Sequence, residues 1–201
     1  MGLLTGAASL TRFAVSGDLP DSPWEFISER IARHSFKDID DSIEEFSVGW
    51  VSVADMFDSS FAYGSYAAGD YVALAMRADE RRVSPAVLNK FCRKEEERIR
   101  RERQVPRLAK AARVEIRERV QAELLRKSPP IPATYDLCWN LGDNTVLFFS
   151  TSKKAIALLE DLFKESFDLA LVLQIPWLVG ERMVEEAARP AYDNLQPAVF
   201  L

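Results

Sequence analysis

Two consecutive charged helices, bounded by prolines on both sides, divide this sequence into three parts. Ser84–Pro85 supplies a capping residue followed by a first-turn proline, which predicts a helix over Pro85–Arg103. A second helix is predicted over Pro106–Lys127, and the proline-rich segment Ser128–Pro132 is the clearest breaker in the sequence. Apolar residues four positions apart form one stripe along the second helix: Leu108, Ala112, Ile116, Val120 and Leu124.

The segment before the helical pair is predicted to contain three strands and one helix. Alternating apolar residues within 3–16 indicate a first strand, and Pro23–Arg33 a helix behind the capping residue Ser22. The next strands are predicted over Glu45–Val53, interrupted at Gly49, and over Asp70–Arg77, with a loop between them.

The segment after the helical pair alternates strands and helices. A hairpin connection separates two predicted strands, and a helix, a strand and a last helix follow. The predicted elements are strands Thr134–Asn140 and Thr145–Ser150, helix Ser152–Ser166, strand Leu169–Gln174, helix Pro176–Ala188 and an irregular tail Pro190–Leu201.

This element order favours an α+β fold with antiparallel sheets flanked by helices and a long charged helix pair. We expect an N-terminal α+β part over 1–83, a charged helical hairpin over 84–130 and a C-terminal part over 131–201, or one continuous domain.

Positive charge is concentrated in the helical pair of an acidic chain. Residues Lys90–Lys127 hold 14 Lys/Arg and 7 Asp/Glu, a net of +7, whereas the rest holds 12 basic and 24 acidic residues, a net of −12. Guanidinium groups make forked hydrogen bonds to phosphate oxygens, so the segment is a candidate for sequence-independent DNA binding. The alternative is a solvated charged helix. The charge argument selects Arg81, Arg82, Arg93, Lys94, Arg98 and Arg101.

Motifs of catalysis are mostly absent from the sequence. The only histidine is His34, and no glycine-rich phosphate loop is present, so we expect no enzyme activity and no cofactor. An acidic cluster allows a second interpretation, a metal-dependent nuclease, because carboxylates bind magnesium. The alternative is a solvated acidic loop. The cluster comprises Asp38, Asp40, Asp41, Glu44 and Glu45.

Compartment and membrane association follow from composition. Cys92 and Cys138 are too few for a disulfide framework, which favours the reducing cytoplasm. No apolar run reaches the roughly 18 to 20 residues of a membrane helix, so we expect no membrane association.

Several segments, in order, resemble the recombination-associated RdgC family over about residues 10–175. Their order and spacing agree with the family pattern, although the displaced proline after Leu125 departs from it, and the family's chains are longer. We therefore expect a short or truncated member. The matching segments are Gly49–Val51, Tyr71–Arg77 followed by Arg81–Val87, Glu123–Leu125, the hairpin around Cys138–Trp139 and Asn144–Thr145, and Thr151–Ala155 with Leu158–Leu159.

The resemblance implies a nucleoid-associated protein that binds double-stranded DNA without catalysis, forms a ring-shaped homodimer and restrains RecA-dependent recombination. The positions it adds to the candidate DNA-binding set are Arg77, Lys90, Lys153 and Lys154.

The working hypothesis is a non-specific duplex DNA binder that contacts phosphates through the charged helices and the Lys153–Lys154 helix start. The alternatives are the nuclease that uses Asp38, Asp40 or Asp41 and a protein–protein adaptor whose charged helices bind an acidic partner. Four aromatic residues, expected to be exposed, favour a homodimer: Phe57, Phe61, Tyr63 and Tyr66.

Overall fold

A computed structural model describes residues 2–4 and 9–196 and confirms the α+β class. Within those ranges no helix combines the length and apolar character needed to cross a bilayer. The elements are β1 (Thr11–Ser16), α1 (Pro23–Arg33), β2 (Phe46–Val51), β3 (Ala67–Ala68), β4 (Tyr71–Arg81), α2 (Pro85–Arg103), α3 (Lys110–Lys127), β5 (Pro130–Asn140), β6 (Thr145–Phe148), α4 (Lys153–Phe167), β7 (Ala170–Leu173), α5 (Pro176–Met183) and α6 (Arg189–Asp193).

The strands of the described residues form one antiparallel sheet in the order β2-β4-β5-β6-β1-β7, with β3 paired to the start of β4. The first strand lies between two of the last, since Phe13 pairs with Val146 on one side and Leu173 on the other. Both segments that flank the helical pair therefore contribute strands to a single sheet. The three-part domain division stays a prediction.

Helices α1 and α4 cover one face of the sheet and enclose an aromatic core. Trp139 packs edge-on against Phe163 and Phe167, with ring centroids 5.1 and 5.3 Å apart. Trp50 Nε1 donates to Ser166 Oγ at 2.8 Å, so its polar atom is satisfied inside the core. This network fixes α4 against β2 and β5.

The aromatic residues at 57–66 divide between core and surface. Phe57 and Tyr63 are exposed, as expected, but Phe61 and Tyr66 are buried and pack edge-on with centroids 6.1 Å apart. The expectation that all four are exposed is therefore wrong, because two of them complete the core beneath their own loop.

The predicted start of α3 at Pro106 is wrong. Gln104 ends α2 in a left-handed conformation, and the Arg113 N–H donates to the Ala109 carbonyl at 3.2 Å, so the helix begins at Lys110. Leu108 is still buried, but in the connection and not in the helix. The apolar stripe therefore identified the buried residues without locating the helix boundary.

Prolines 130 and 132 lie inside β5 and do not break it, contrary to prediction. The Asp136 carbonyl accepts from the Phe149 N–H on the β6 side, so even-numbered residues of β5 direct their backbone groups to that side. Pairing with β6 begins only at Leu137. Pro130 and Pro132 therefore face an unpaired edge, where a missing N–H costs no ladder hydrogen bond.

The ends of two elements and the structure of the C-terminal tail also differ from prediction. Strand β4 runs to Arg81, beyond the expected end at Arg77, because Glu80 and Arg81 pair with Ile131 and Pro130. The last long helix ends at Met183, and α6 lies in the tail predicted to be irregular. Parts of the predicted first strand (5–8) and of the tail (197–201) lie outside the described residues.

Gly49 lies within a continuous β2, where an interruption was predicted. An added Cβ would stand 2.5 Å from Phe36 Cα and 2.6 Å from Phe36 N. The segment that carries Phe36 forms a parallel bridge on β2, with the Phe36 N–H donating to the Trp50 carbonyl at 2.9 Å. Glycine is required at this position so that two backbone segments can approach closely.

We expect Gly49→Ala to lower the free energy of unfolding by about 2–3 kcal/mol, because rigid backbone and not a flexible side chain blocks the new methyl group. Gly142→Ala is the matched control, since its nearest neighbour is the Asn140 side chain at 3.3 Å. The control should shift stability by no more than about 0.5 kcal/mol in urea denaturation. Equal effects of the two substitutions would contradict the packing argument.

Candidate nucleic-acid interface

Helices α2 and α3 form a hairpin, called the arm (residues 85–127), that packs around an apolar cluster of its own. The cluster is distinct from the main core, and it comprises Leu88, Cys92, Leu108, Ile116 and Val120. Each helix buries one narrow stripe and exposes its charged residues. The arm therefore presents two grooves between its helices, one on each side of the apolar seam.

One side of the arm, called the paired groove, has nearly balanced charge. Arg98 donates to Glu95 at 2.7 Å and to Glu102 at 2.6 Å, and Arg101 pairs with Glu97. The hydrogen bond from Arg98 lowers the pKa of Glu95 below its usual value. The groove is lined by Lys94, Arg98, Arg101, Arg119 and Lys127 together with Glu95, Glu97, Glu102 and Glu123.

The other side, called the basic groove, is lined by four cationic side chains and a single carboxylate. Lys110, Arg113 and Arg117 are spaced i, i+3 and i+7 on α3, which places them along one stripe about 10 Å long. Arg93 faces them from α2, and Glu96 is the acidic residue of the lining. Positive charge is therefore uncompensated on this side of the arm.

The cations of the basic groove are available for a ligand. Among the described residues, Arg93, Lys110 and Arg113 have no carboxylate within 4 Å. Arg117 donates to Asn89 Oδ1 at 3.2 Å, a neutral partner that orients the guanidinium group and leaves its charge unneutralised. Lys110, Arg113 and Arg117 were not among the predicted site residues, although their helical spacing was visible in the sequence.

Arg77, a predicted DNA contact, is buried in the sheet face opposite the aromatic core. Its guanidinium group donates to both carboxylate oxygens of Asp79, at 2.8 and 2.6 Å, and to the Met56 carbonyl at 3.2 Å. The Phe36 ring covers it, with the guanidinium carbon 4.1 Å from the ring centroid. The Arg77 side chain is 6% exposed and its donors are used inside the fold, so we remove it from the candidate set.

Arg81, the second predicted contact on β4, is also buried and bonded internally. Its guanidinium group donates to backbone carbonyls of the loop at 39–44 and to the Ser128 carbonyl at the end of α3. We remove it from the candidate set for the same reason. Both corrections have one physical cause: Arg77 and Arg81 are four residues apart on a strand, an even spacing that points them to the same covered face.

The remaining predicted residues are exposed, and some have acidic partners. Arg82 and Lys154 share the Glu80 carboxylate, each at 2.5 Å. Lys153 has no ion pair in the part of the chain that the structure describes. The same holds for Lys90 and Lys94 on the arm, where the Lys90 ammonium lies 5.8 Å from the Phe91 ring centroid.

The acidic cluster forms the exposed loop that the sequence predicted. Asp38 Oδ1 accepts the Asp40 N–H at 2.7 Å, and Asp38 Oδ2 lies 3.8 Å from Arg77. Within residues 2–4 and 9–196, no group of three or more His, Cys, Asp or Glu side chains is arranged to hold a metal ion. The carboxylates of this loop are therefore dispersed and do not face a common point.

A family model described as "Putative exonuclease, RdgC" matches residues 10–176 of the 201-residue chain. The matched span begins just before β1 and includes the arm and every strand of the sheet. A search among curated proteins returned no significant match.

We expect the Glu80 bridge to contribute to stability in a pH-dependent manner. Hydrogen bonds from Arg82 and then Lys154 lower the pKa of Glu80 from 4.5 to about 2. A carboxyl group whose pKa is lowered in the folded state stabilises the fold at pH values above its ordinary pKa. This contribution to stability disappears as pH falls from 4.5 towards 2.

Glu80→Gln should therefore lower the unfolding free energy near neutral pH by about 1 kcal/mol or less, since the bridge is partly solvated. The difference from the parent should vanish in denaturation series carried to acid. A difference that persists unchanged at low pH would show that the charge of Glu80 is not the cause.

Proposed function

This chain belongs to the RdgC family of recombination-associated proteins, and we propose that it binds double-stranded DNA through the basic groove of its arm without regard to sequence. Forked guanidinium groups match the geometry and charge of backbone phosphates. The observation that supports the proposal most is the excess of four cations over one carboxylate on one side of the arm, while on the other side carboxylates pair with Arg98, Arg101 and Arg119.

The dimensions of the basic groove suit a phosphate backbone. Phosphates recur along a strand of duplex DNA at a few ångströms, so a stripe about 10 Å long spans at least two of them. Arg93 on the facing helix adds a contact from the other wall. The chain's overall charge of −5 does not oppose this, because a local field of positive sign directs association.

We propose further that the protein acts in the cytoplasmic nucleoid as a homodimer without catalysis, and that it modulates a recombinase by occupying duplex DNA. The exposed Phe57 and Tyr63 favour a protein contact, because large exposed apolar groups are common at interfaces. The Lys153–Lys154 helix start is a secondary phosphate contact, with Lys154 partly neutralised by Glu80.

The charge distribution leads to a paired mutagenesis test. We expect Arg113→Gln/Arg117→Gln to weaken binding to a random duplex at least about 10-fold, since each lost charge-assisted contact contributes about 1.5–3 kcal/mol. The salt dependence should also fall by about one unit of slope per phosphate contact removed. Fluorescence anisotropy over a salt series measures both effects.

The matched control is Arg98→Gln/Arg101→Gln, which changes net charge equally but on the paired groove. It should weaken binding less than the basic-groove variant. Equal losses would show that only total charge matters, and no binding by the parent at any salt would favour the adaptor alternative.

A metal-dependent nuclease is the second candidate, because the matching family description includes the word exonuclease. We expect linear and supercoiled duplexes to remain intact with Mg²⁺, since the acidic loop residues are dispersed and Asp38 faces Arg77. Degradation by the parent, abolished by Asp40→Ala, would overturn the non-catalytic proposal. Degradation unaffected by Asp40→Ala would place the activity elsewhere in the chain and also overturn that proposal.

A further inference from the structure

Arg81 is a buried cation whose partners are backbone carbonyls. It is 6% exposed, and no carboxylate of the described residues lies within ion-pair distance of it. Burying a charge is costly unless its hydrogen-bonding capacity is satisfied, and the carbonyl dipoles satisfy it here. Because the buried charge is stable only while these hydrogen bonds are made, Arg81 restrains the segments that supply the carbonyls.

Those carbonyls come from two segments far apart in sequence. The guanidinium group donates to Ile39 at 2.7 Å, to Asp40 and Ser42 at 3.1 Å each and to Glu44 at 3.0 Å. Its remaining bond is to the carbonyl of Ser128, the C-cap of α3. One side chain therefore joins the loop at 39–44 to the base of the arm.

The arm has few other restraints on its orientation. It joins the sheet through two short connections, Arg82–Ser84 before α2 and Ser128–Pro129 after α3. Its apolar cluster is separate from the main core, so packing inside the arm does not fix its angle to the sheet. The bond from Arg81 lies at the point where the second connection begins.

We propose that Arg81 is a positioning residue that holds the arm at a fixed angle on the sheet and makes that angle depend on the loop at 39–44. The consequence for duplex DNA rests on the proposed function, because a displaced arm alters how the basic groove meets a backbone. A lysine cannot replace this arginine, since one ammonium group cannot reach carbonyls on two segments in the same geometry.

Electron–electron distance measurements between two spin labels test the proposal without DNA. The labels are introduced by Gln121→Cys on α3 and Glu160→Cys on α4, both exposed, with Cys138→Ser to remove the half-buried thiol. Labelled protein is diluted with an excess of unlabelled protein, so that a homodimer carries labels on one protomer only, and the parent should then give one narrow distance distribution. Arg81→Met should broaden or shift it, and Arg81→Lys should do the same while retaining the charge.

Arg82→Met is the control, because Arg82 neighbours Arg81 but bonds only to Glu80 at the surface. It should leave the distance distribution as in the parent. If Arg81→Met fails to fold, Arg81→Lys decides; a parent-like distribution in the folded Arg81 variants would overturn the proposal.

Duplex affinity measured on the same proteins separates the role of Arg81 in orienting the arm from its consequence for DNA binding. Arg81→Lys should weaken binding about 2- to 30-fold, the range for residues that act on a site through intervening structure. A broadened label distance distribution with unchanged duplex affinity would overturn only the consequence for DNA binding and leave the positioning role of Arg81 intact. A parent that binds no duplex would remove the proposed function, and the distances would still decide the role of Arg81.

Discussion

The partner that each arginine finds determines what that arginine can do in this protein. Guanidinium groups remain charged at all accessible pH values, so they differ only in what accepts their hydrogen bonds. Asp79 and carbonyl groups bind Arg77 and Arg81 inside the fold, and neighbouring carboxylates pair with Arg98 and Arg101 at the surface. Only where such acceptors are lacking, as around Arg113, does positive charge face solvent uncompensated.

This division gives the arm two unlike sides. Ion pairs on the paired groove are exposed and individually weak, but they leave the charge of its lining nearly balanced. On the basic groove the same helices expose their cations with Glu96 as the single carboxylate of the lining. A polyanion therefore meets an arm with a definite binding side, although the composition of either helix alone suggests a uniform mixture of charges.

Much of the fold was predictable from local sequence signals. Helices α1 and α2 begin and end as predicted, and a serine and a proline mark each start. The Ser84 side chain accepts from the Val87 N–H, whereas Ser22 makes no side-chain capping bond, so the predicted cap of α1 is wrong. The prolines of β5 could not be interpreted in the same way, since their effect depends on which side of the strand is paired. The predicted strand ended at Arg77, so the sequence indicated neither the shared face of Arg77, Asp79 and Arg81 nor the loops that cover it.

The candidate site was predictable in part. A count of charges identified the arm, but it could not distinguish paired from unpaired cations, because pairing depends on helical spacing and on the facing helix. The i, i+3 and i+7 spacing of Lys110, Arg113 and Arg117 was the available signal. Whether acidic residues of α2 would neutralise that stripe could be decided only from the packing of the two helices.

The place of β1 in the sheet has a consequence for biosynthesis. Residues 11–16 leave the ribosome early, yet both of their neighbours lie beyond residue 144. The nascent chain must therefore hold this strand without its native partners until residues 145–173 have been translated. Such long-range pairing slows folding and leaves the edge of this strand open to other chains in the meantime.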